Sequence, residues 1–324
     1  MGANENGYQK KILIAGNSNL AFSISVCMLQ AGHTLILYTE NEVNAWKSIN
    51  THLYDLQEMA NLAFDPSLAQ VVTHLGYGIE CDLAIAITNE DLDEKQQIIR
   101  ALEKAIPSEV MIAINSDCIP LCSLQEHAMH PQRIIAANWV EPAHTTYFLE
   151  LIINEKNDRS QIDDLNRYAM EHWKKDGYII TSEISIRTRM LCAMVREAFY
   201  LVENGYASID DIDRACRNDA GYYLPFAGNF RYIDLMGTSG YGRVMKDLYP
   251  TLSKASEIPD FFKSMVANGS LGMQNNKGLY NYRDADVERW NEIIRKFSYQ
   301  VHHIISKYPF NYMEENLDGK INNG

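Results

Sequence analysis

The chain has no cluster of basic residues: Lys and Arg total 29 against 42 for Asp and Glu, a net charge of −13. That removes the electrostatic footprint expected of a nucleic-acid binder or of a protein held on an anionic membrane. It also lacks an apolar run of about 18 residues, the length a bilayer-crossing helix requires. The start, MGANENGYQK, has no apolar core of a signal peptide, so a cytoplasmic protein is expected. Cysteines are few and scattered at positions 27, 81, 118, 122, 192 and 216. Only Cys118 and Cys122 lie close, and a C-x3-C pair without a second pair or clustered His is not the spacing of a zinc site. No metal is expected, and the six are read as buried free thiols. No recurring period suggests a solenoid.

What is present, at 46% hydrophobic residues over 324 positions, is enough for one large or two ordinary folded domains. The pattern from Lys11 to Glu40 is strand, turn, helix, strand: KILIAG, then LAFSISVCMLQAG closed by Gly32, then HTLILYTE. This reads as the opening βαβ unit of a dinucleotide-binding sheet, with an ordinary α/β turn as the alternative. Where G-x-G-x-x-G is expected, the chain reads Gly16-Asn17-Ser18-Asn19-Leu20-Ala21. Gly16 supplies the tight turn, while Ser18 places a Cβ where backbone normally meets the pyrophosphate. The slot for the ribose-binding acid falls on Thr39, with Glu40 next; Glu40 reaches a 2′-hydroxyl only if the strand has already ended. Lys47 is the nearest downstream cation, which leaves a 2′-phosphate without a partner and favours NAD over NADP.

Alternation continues through CDLAIAIT, DLDEKQQIIRALEKAI, VMIAIN, RIIAAN and TYFLELII, which implies a mostly parallel sheet with ligand at the strands' carboxyl ends. Asn89, Glu90, Asn115, Ser116, Asp117 and Asn138 are placed just past such ends. After GYIITSE the chain turns helical, through SIRTRMLCAMVREAFYLVENGYA, IDDIDRACRNDA, DFFKSMVANG and ADVERWNEIIRKFSYQVHHIISKY. The expected architecture is α/β, a Rossmann-type domain over residues 8–182 followed by an all-helical C-terminal domain over 183–324. The tyrosines at 222, 223, 232 and 241 are read as packing residues.

Over nearly its full length the chain resembles the 3-hydroxyacyl-CoA dehydrogenase family, including its lambda-crystallin-like and small-hydroxyacid branches. The resemblance rests on the Gly16 turn, NEDLDEK at 89–95, INSDCIPL at 114–121, RIIAANWVEPAHTTYFLELI, REAFYLVENGYASIDDIDRA, GNFRYIDLMG at 228–237 and LGMQNNKGLYNY at 271–282. It implies NAD as cofactor, a small-molecule substrate and a homodimer formed through the helical domain. It also implies site positions. The substrate-binding serine falls on Asp117, the catalytic histidine on Asn138, and its partner glutamate on Glu150, twelve residues later as in the family. The asparagine of the first C-terminal helix falls on Thr188, with Arg189 kept. Glu90 and Lys95 match residues on the nicotinamide side and in the following helix, and Asn115 matches the motif asparagine. With Gly16, Ser18, Asn19, Leu20, Thr39 and Glu40 they form the expected cofactor set.

One of four catalytic positions is therefore retained. Oxidation of a secondary alcohol needs a hydride acceptor, a proton acceptor and donors for the developing alkoxide. Asn138 cannot exchange a proton near neutral pH as imidazole does. Asp117 is a candidate acceptor, His144 another, and Asn138 a hydrogen-bond donor to a carbonyl; Asn138 or Thr188 is the expected new partner of Glu150. Segment 41–70 looks shorter than the family's CoA-holding insertion and has Lys47 as its only cation, so a small acid competes with acyl-CoA as substrate. Two functions follow: an NAD-dependent oxidoreductase with a rearranged proton relay, or a catalytically silent relative that binds a nucleotide or metabolite as a sensor or structural subunit.

Overall fold

The computed structural model describes residues 8–310; the polar start and the INNG end lie outside the described residues. The chain groups into two compact units, Met1–Arg189 and Met190–Gly324. The first holds β1 (Lys11–Gly16), α1 (Asn19–Gln30), β2 (Thr34–Tyr38), α2 (Glu42–Ala60), β3 (Ala69–Val72), β4 (Leu83–Ile87), α3 (Leu92–Ala105), β5 (Met111–Ile114), α4 (Leu121–Gln125), β6 (Ile134–Trp139), β7 (Leu149–Ile152), α5 (Arg159–Trp173) and β8 (Tyr178–Ile180). All eight strands form one sheet in the order β3-β2-β1-β4-β5-β6-β7-β8. Strand order reverses between β1 and β4, which leaves a crevice at their carboxyl ends where doubly wound sheets bind ligands.

The burial of these strands follows from their sequences. All five residues of β4, LAIAI, and all six of β6, IIAANW, are buried, as near-continuous apolar strands covered on both faces should be. Helix α1 is buried at every position from Ala21 to Leu29, so it is a core helix rather than an amphipathic one. It ends in a Schellman arrangement: Gly32 N–H donates to Leu29 and His33 N–H to Met28, with Gly32 at φ +79°. Helix α2 buries Ala45, Ile49, His52 and Leu56, one face at helical spacing.

Three sequence expectations change here. Asn138 lies inside β6 rather than past its end, because the strand runs one residue beyond it. The segment TYFLELII does not extend the parallel set: β7 pairs antiparallel with β6, since a short loop without a crossover helix can only return the chain in the opposite sense. Cys118, Cys122 and Cys192 are exposed rather than buried. The half-buried edge strand β3, only four residues long, was not anticipated.

The second unit contains most of α6 (Ile186–Glu203), then α7 (Ile209–Ala215), α8 (Gly221–Met236), α9 (Thr238–Leu248), α10 (Asp260–Ala267) and α11 (Asp286–Lys307). A wide π turn, Cys216–Ala220, joins α7 to α8, and α8 is kinked at Gly228, φ +63°. Tyr222 is exposed, whereas Tyr223 stacks on Tyr232 with ring centroids 3.9 Å apart. Among the described residues no helix is long and apolar enough to cross a membrane.

Candidate functional site

A cavity of about 560 Å³ opens at the carboxyl ends of β1, β2 and β4, lined by Gly16, Asn17, Ser18, Thr39, Glu40 and Asn89 among others. Gly16 is needed for space rather than for an unusual φ: a Cβ there would lie 2.8 Å from Ala21 Cβ and 2.9 Å from the Ile87 carbonyl oxygen. The loop, β1 and β4 can therefore approach closely only with glycine. Ser18 is the N-cap of α1, its hydroxyl accepting from Ala21 N–H at 3.4 Å. The amides of Asn19 and Leu20 precede any intrahelical acceptor, and no acidic side chain occupies the first turn. A helix start left open in this way suits a phosphate oxygen. Asn19 and Leu20 are not among the residues lining the cavity.

Strand β2 ends at Tyr38, so Glu40 is free of strand alternation and lines the crevice. Thr39 is buried, and its hydroxyl donates to Asn17 Oδ1 at 2.9 Å, tying β2 to the glycine loop. Asn17 is thus a crevice residue that the fingerprint quoted but did not single out. Its only signal was its place in the loop.

Between the crevice and the rest of the site the polar residues brace one another. Asn115 Oδ1 accepts from Thr88 N–H at 2.8 Å and its Nδ2 donates to the Thr88 carbonyl at 2.9 Å, locking the end of β5 to the end of β4. Lys95 is wholly buried; its ammonium donates to Asn115 O at 2.7 Å and Thr88 Oγ1 at 3.1 Å, and pairs with Glu90 at 3.2 Å. Burial pushes the Lys95 pKa down and Glu90 opposes the shift only in part. Glu90 Oε1 accepts the successive backbone N–H groups of Asp117, Cys118 and Ile119 at 2.9, 2.7 and 3.0 Å. Burial works to raise its pKa, but those amides and Lys95 outweigh it and hold the carboxylate below its ordinary range. Glu90 and Lys95 therefore shape the 117–119 loop, while Asn89 and Glu94 of the same segment line the crevice.

The four positions mapped from the family converge in two pairs. Asn138 and Glu150 face each other across β6 and β7, with Asn138 Nδ2 donating to Glu150 Oε2 at 3.0 Å. The same Nδ2 donates to the Ser116 carbonyl and Oδ1 accepts from Ser116 N–H, both at 2.8 Å. Both amide hydrogens of Asn138 are spent, so it cannot donate to a substrate carbonyl as the sequence suggested. Glu150, fully buried, also accepts from Tyr178 Oη at 3.0 Å and from the amides of Ile186 and Arg187 at 3.1 and 3.3 Å. It caps the start of α6. Burial and the neighbouring Glu150 carboxylate push the Tyr178 phenol well up, keeping it a donor. Tyr178 lay beyond the family motifs, and sequence reading missed it.

The second pair is more open. Thr188 does not reach Glu150; its hydroxyl donates to Asp117 Oδ1, and Arg187 Nη1 lies 3.7 Å from the same oxygen. Asp117 is held through its backbone as well, because the N–H of buried Ser185 donates to its carbonyl at 3.2 Å. Its side chain remains 43% exposed, and Oδ2 has no hydrogen-bond partner among the described residues. His144 turns elsewhere, its ring edge-on to His52 at 4.7 Å between centroids. Of the two proton acceptors expected from the sequence, Asp117 and His144, Asp117 is the one paired with Thr188.

Comparison with known proteins places this geometry. The model of the 3-hydroxyacyl-CoA dehydrogenase NAD binding domain matches residues 11–180, and that of the 3-hydroxyacyl-CoA dehydrogenase C-terminal domain matches 186–282. A 5-formyl-3-hydroxy-2-methylpyridine 4-carboxylate 5-dehydrogenase of Mesorhizobium japonicum is 24% identical over 62% of this chain and 65% of its own length. The fatty acid oxidation complex subunit alpha of Vibrio parahaemolyticus is 23% identical over 74% of this chain, a match spanning only 34% of that protein. A crystal structure of a 5-formyl-3-hydroxy-2-methylpyridine 4-carboxylic acid 5-dehydrogenase, described as an NAD+ dependent dismutase, shares the fold with a TM-score of 0.84 at 19% identity, over 92% of this chain and 99% of that one.

Proposed function

The chain belongs to the NAD-binding 3-hydroxyacyl-CoA dehydrogenase family, and on that premise we propose that it is an NAD-dependent oxidoreductase whose proton acceptor is Asp117. The reaction converts a secondary alcohol of a small acid and the matching ketone into each other. The observation that carries this reading is the contrast at the site: Asn138 is saturated by Ser116 and Glu150, while Asp117 keeps an unpartnered carboxylate oxygen in the open. When bound, NAD supplies the hydride acceptor. Asp117 Oδ2 takes the hydroxyl proton as the adjacent carbon releases its hydride and the C=O bond forms, and Thr188 fixes the carboxylate's orientation. Asn138 and Glu150 hold the floor beneath it.

The open amides of Asn19 and Leu20 suit the diphosphate, and Glu40 on the crevice wall suits a ribose hydroxyl and disfavours a 2′-phosphate, so NAD is preferred to NADP. A small acid is preferred to acyl-CoA: Lys47, the lone cation of segment 41–70, is exposed, and the similar Mesorhizobium protein is named for a pyridine carboxylate. Homodimerisation through the helical unit is supported by its uncovered apolar side chains, such as Phe230, Phe297 and Trp290.

Titration with NADH followed by fluorescence tests the reading first, with saturation below millimolar concentration expected. A panel of hydroxy acids and CoA esters is then assayed with wild type and Asn138→His. Turnover by wild type is expected. Turnover in Asn138→His alone would overturn the Asp117 relay and favour a silent relative.

A further inference from the structure

Arg187 has a guanidinium that nothing in the relay consumes. Its side chain is 38% exposed, and the carboxylate its guanidinium pairs with among the described residues, Asp117, stands 3.7 Å from Nη1, outside hydrogen-bond distance. Structural Arg–carboxylate pairs close to roughly 2.7–2.9 Å and are commonly bidentate. This one is not closed, and Asp117 Oδ1 already accepts from Thr188. Five donors in a fixed planar fork are therefore left without a hydrogen bond among the described residues. The fork is also oriented: its central carbon lies 5.7 Å from the centre of the Phe148 ring, and Phe148 is braced edge-on by Tyr178 at 5.9 Å. A cation resting on an aromatic face loses less freedom on binding than a free surface arginine.

The electrostatic balance around it points the same way. Asp117, Glu150 and Glu90 put three carboxylates in this corner, against Lys95 and Arg187. Lys95 is buried and engaged with Thr88, Asn115 and Glu90, so it offers nothing to a ligand. An anionic substrate approaching Asp117 has Arg187 as its available countercharge. The separation matters too. With the proton acceptor and the guanidinium adjacent, the reacting hydroxyl and the anchored anion must sit on carbons only a few bonds apart.

We propose that Arg187 anchors a carboxylate of the substrate, so that the site takes a short hydroxy or keto acid carrying its charge close to the reacting carbon, in preference to the neutral ester. The inference rests on reading this corner as the substrate site. An anchor of this kind acts on ground state and transition state alike, and its loss raises KM with little change in kcat.

The test pairs 2-hydroxy and 3-hydroxy acids, aliphatic and aromatic, with their methyl esters, measured by calorimetry and by turnover on wild type, Arg187→Met and Arg187→Lys. Acid binding should weaken roughly 10- to 100-fold in Arg187→Met, the usual cost of a lost charge-assisted pair, and recover in part in Arg187→Lys. Ester binding should not change. Equal losses for acid and ester would overturn the proposal, since that is what a role confined to bracing Asp117 gives. Wild type binding no acid below 10 mM, a limit on the order of the weakest specific ligands, would also overturn it. So would binding of coenzyme A or inorganic phosphate that depends on Arg187 while the acids do not. Arg187-dependent acid binding without NADH production would sink the oxidoreductase reading and leave the anchor standing; turnover indifferent to Arg187 would do the reverse.

Discussion

The crevice at the ends of β1 and β2 and the corner at the ends of β5 and β6 are both polar patches on one sheet, yet their hydrogen bonds are in opposite states. In the crevice the first amides of α1 precede any intrahelical acceptor and Glu40 stands at the wall. In the corner Asn138, Ser116, Glu150 and Tyr178 satisfy one another, and Asp117 with Arg187 is what remains unsatisfied. Unpartnered polar groups mark where a ligand replaces water; saturated ones mark scaffolding. By that criterion the crevice supports the proposed cofactor site, and the Asn138–Glu150 pair supports a scaffolding role.

The comparison can be broken at its strongest point by Asp117→Asn. The amide still accepts from Thr188 but takes no proton, so kcat should fall about 10²- to 10⁴-fold, with the NADH dissociation constant within a few-fold of wild type in a fluorescence titration. Retained activity would return the search for the base to the beginning. Glu150→Ala sharpens the other side. It leaves one hydrogen of the buried Asn138 amide and the part-buried Tyr178 hydroxyl and two α6 amides without their acceptor, and urea unfolding should show a loss of roughly 3–5 kcal/mol from the several unmet donors. A loss under about 1 kcal/mol would deny that the pair is scaffolding.

The smallest effect concerns the brace between the two regions. Glu90 is held below the ordinary carboxylate value of 4.5, so its charged form is favoured in the folded chain more than in the unfolded one. The stability it adds is complete above that value and is lost as pH falls from there through the folded pKa. Wild type should therefore exceed Glu90→Gln by about 1–2 kcal/mol near neutrality. Thermal melts should show that gap closing below pH 4.5, and a gap independent of pH would refute the linkage.

How much of this was legible can be judged from particular residues. The βαβ start and the place of Gly16 were readable, because strand alternation and turn residues are properties of neighbours along the chain; positions 117, 138, 150 and 188 were named by the family resemblance alone. The role of Asn138 was not readable. Its partners are Ser116, 22 residues away, and Glu150, 12 away, and nothing local says that both its hydrogens are taken. Thr188 was offered as a partner of Glu150 and went to Asp117, 71 residues distant. Tyr178 and Arg187 carried no motif at all. Periodicity also gave no direction for β7, which depends on what the connecting loop can span.

The amino-acid sequence by itself determined the layered α/β fold, the helical second half and the loss of the imidazole at position 138, since apolar period, turn residues and residue identity are local facts. Only the tertiary structure decided which polar groups close on each other and which stay open, because a hydrogen bond between strands is set by register and loop path. That distinction carries the proposal of Asp117, rather than Asn138 with Glu150, as proton acceptor, with Arg187 beside it.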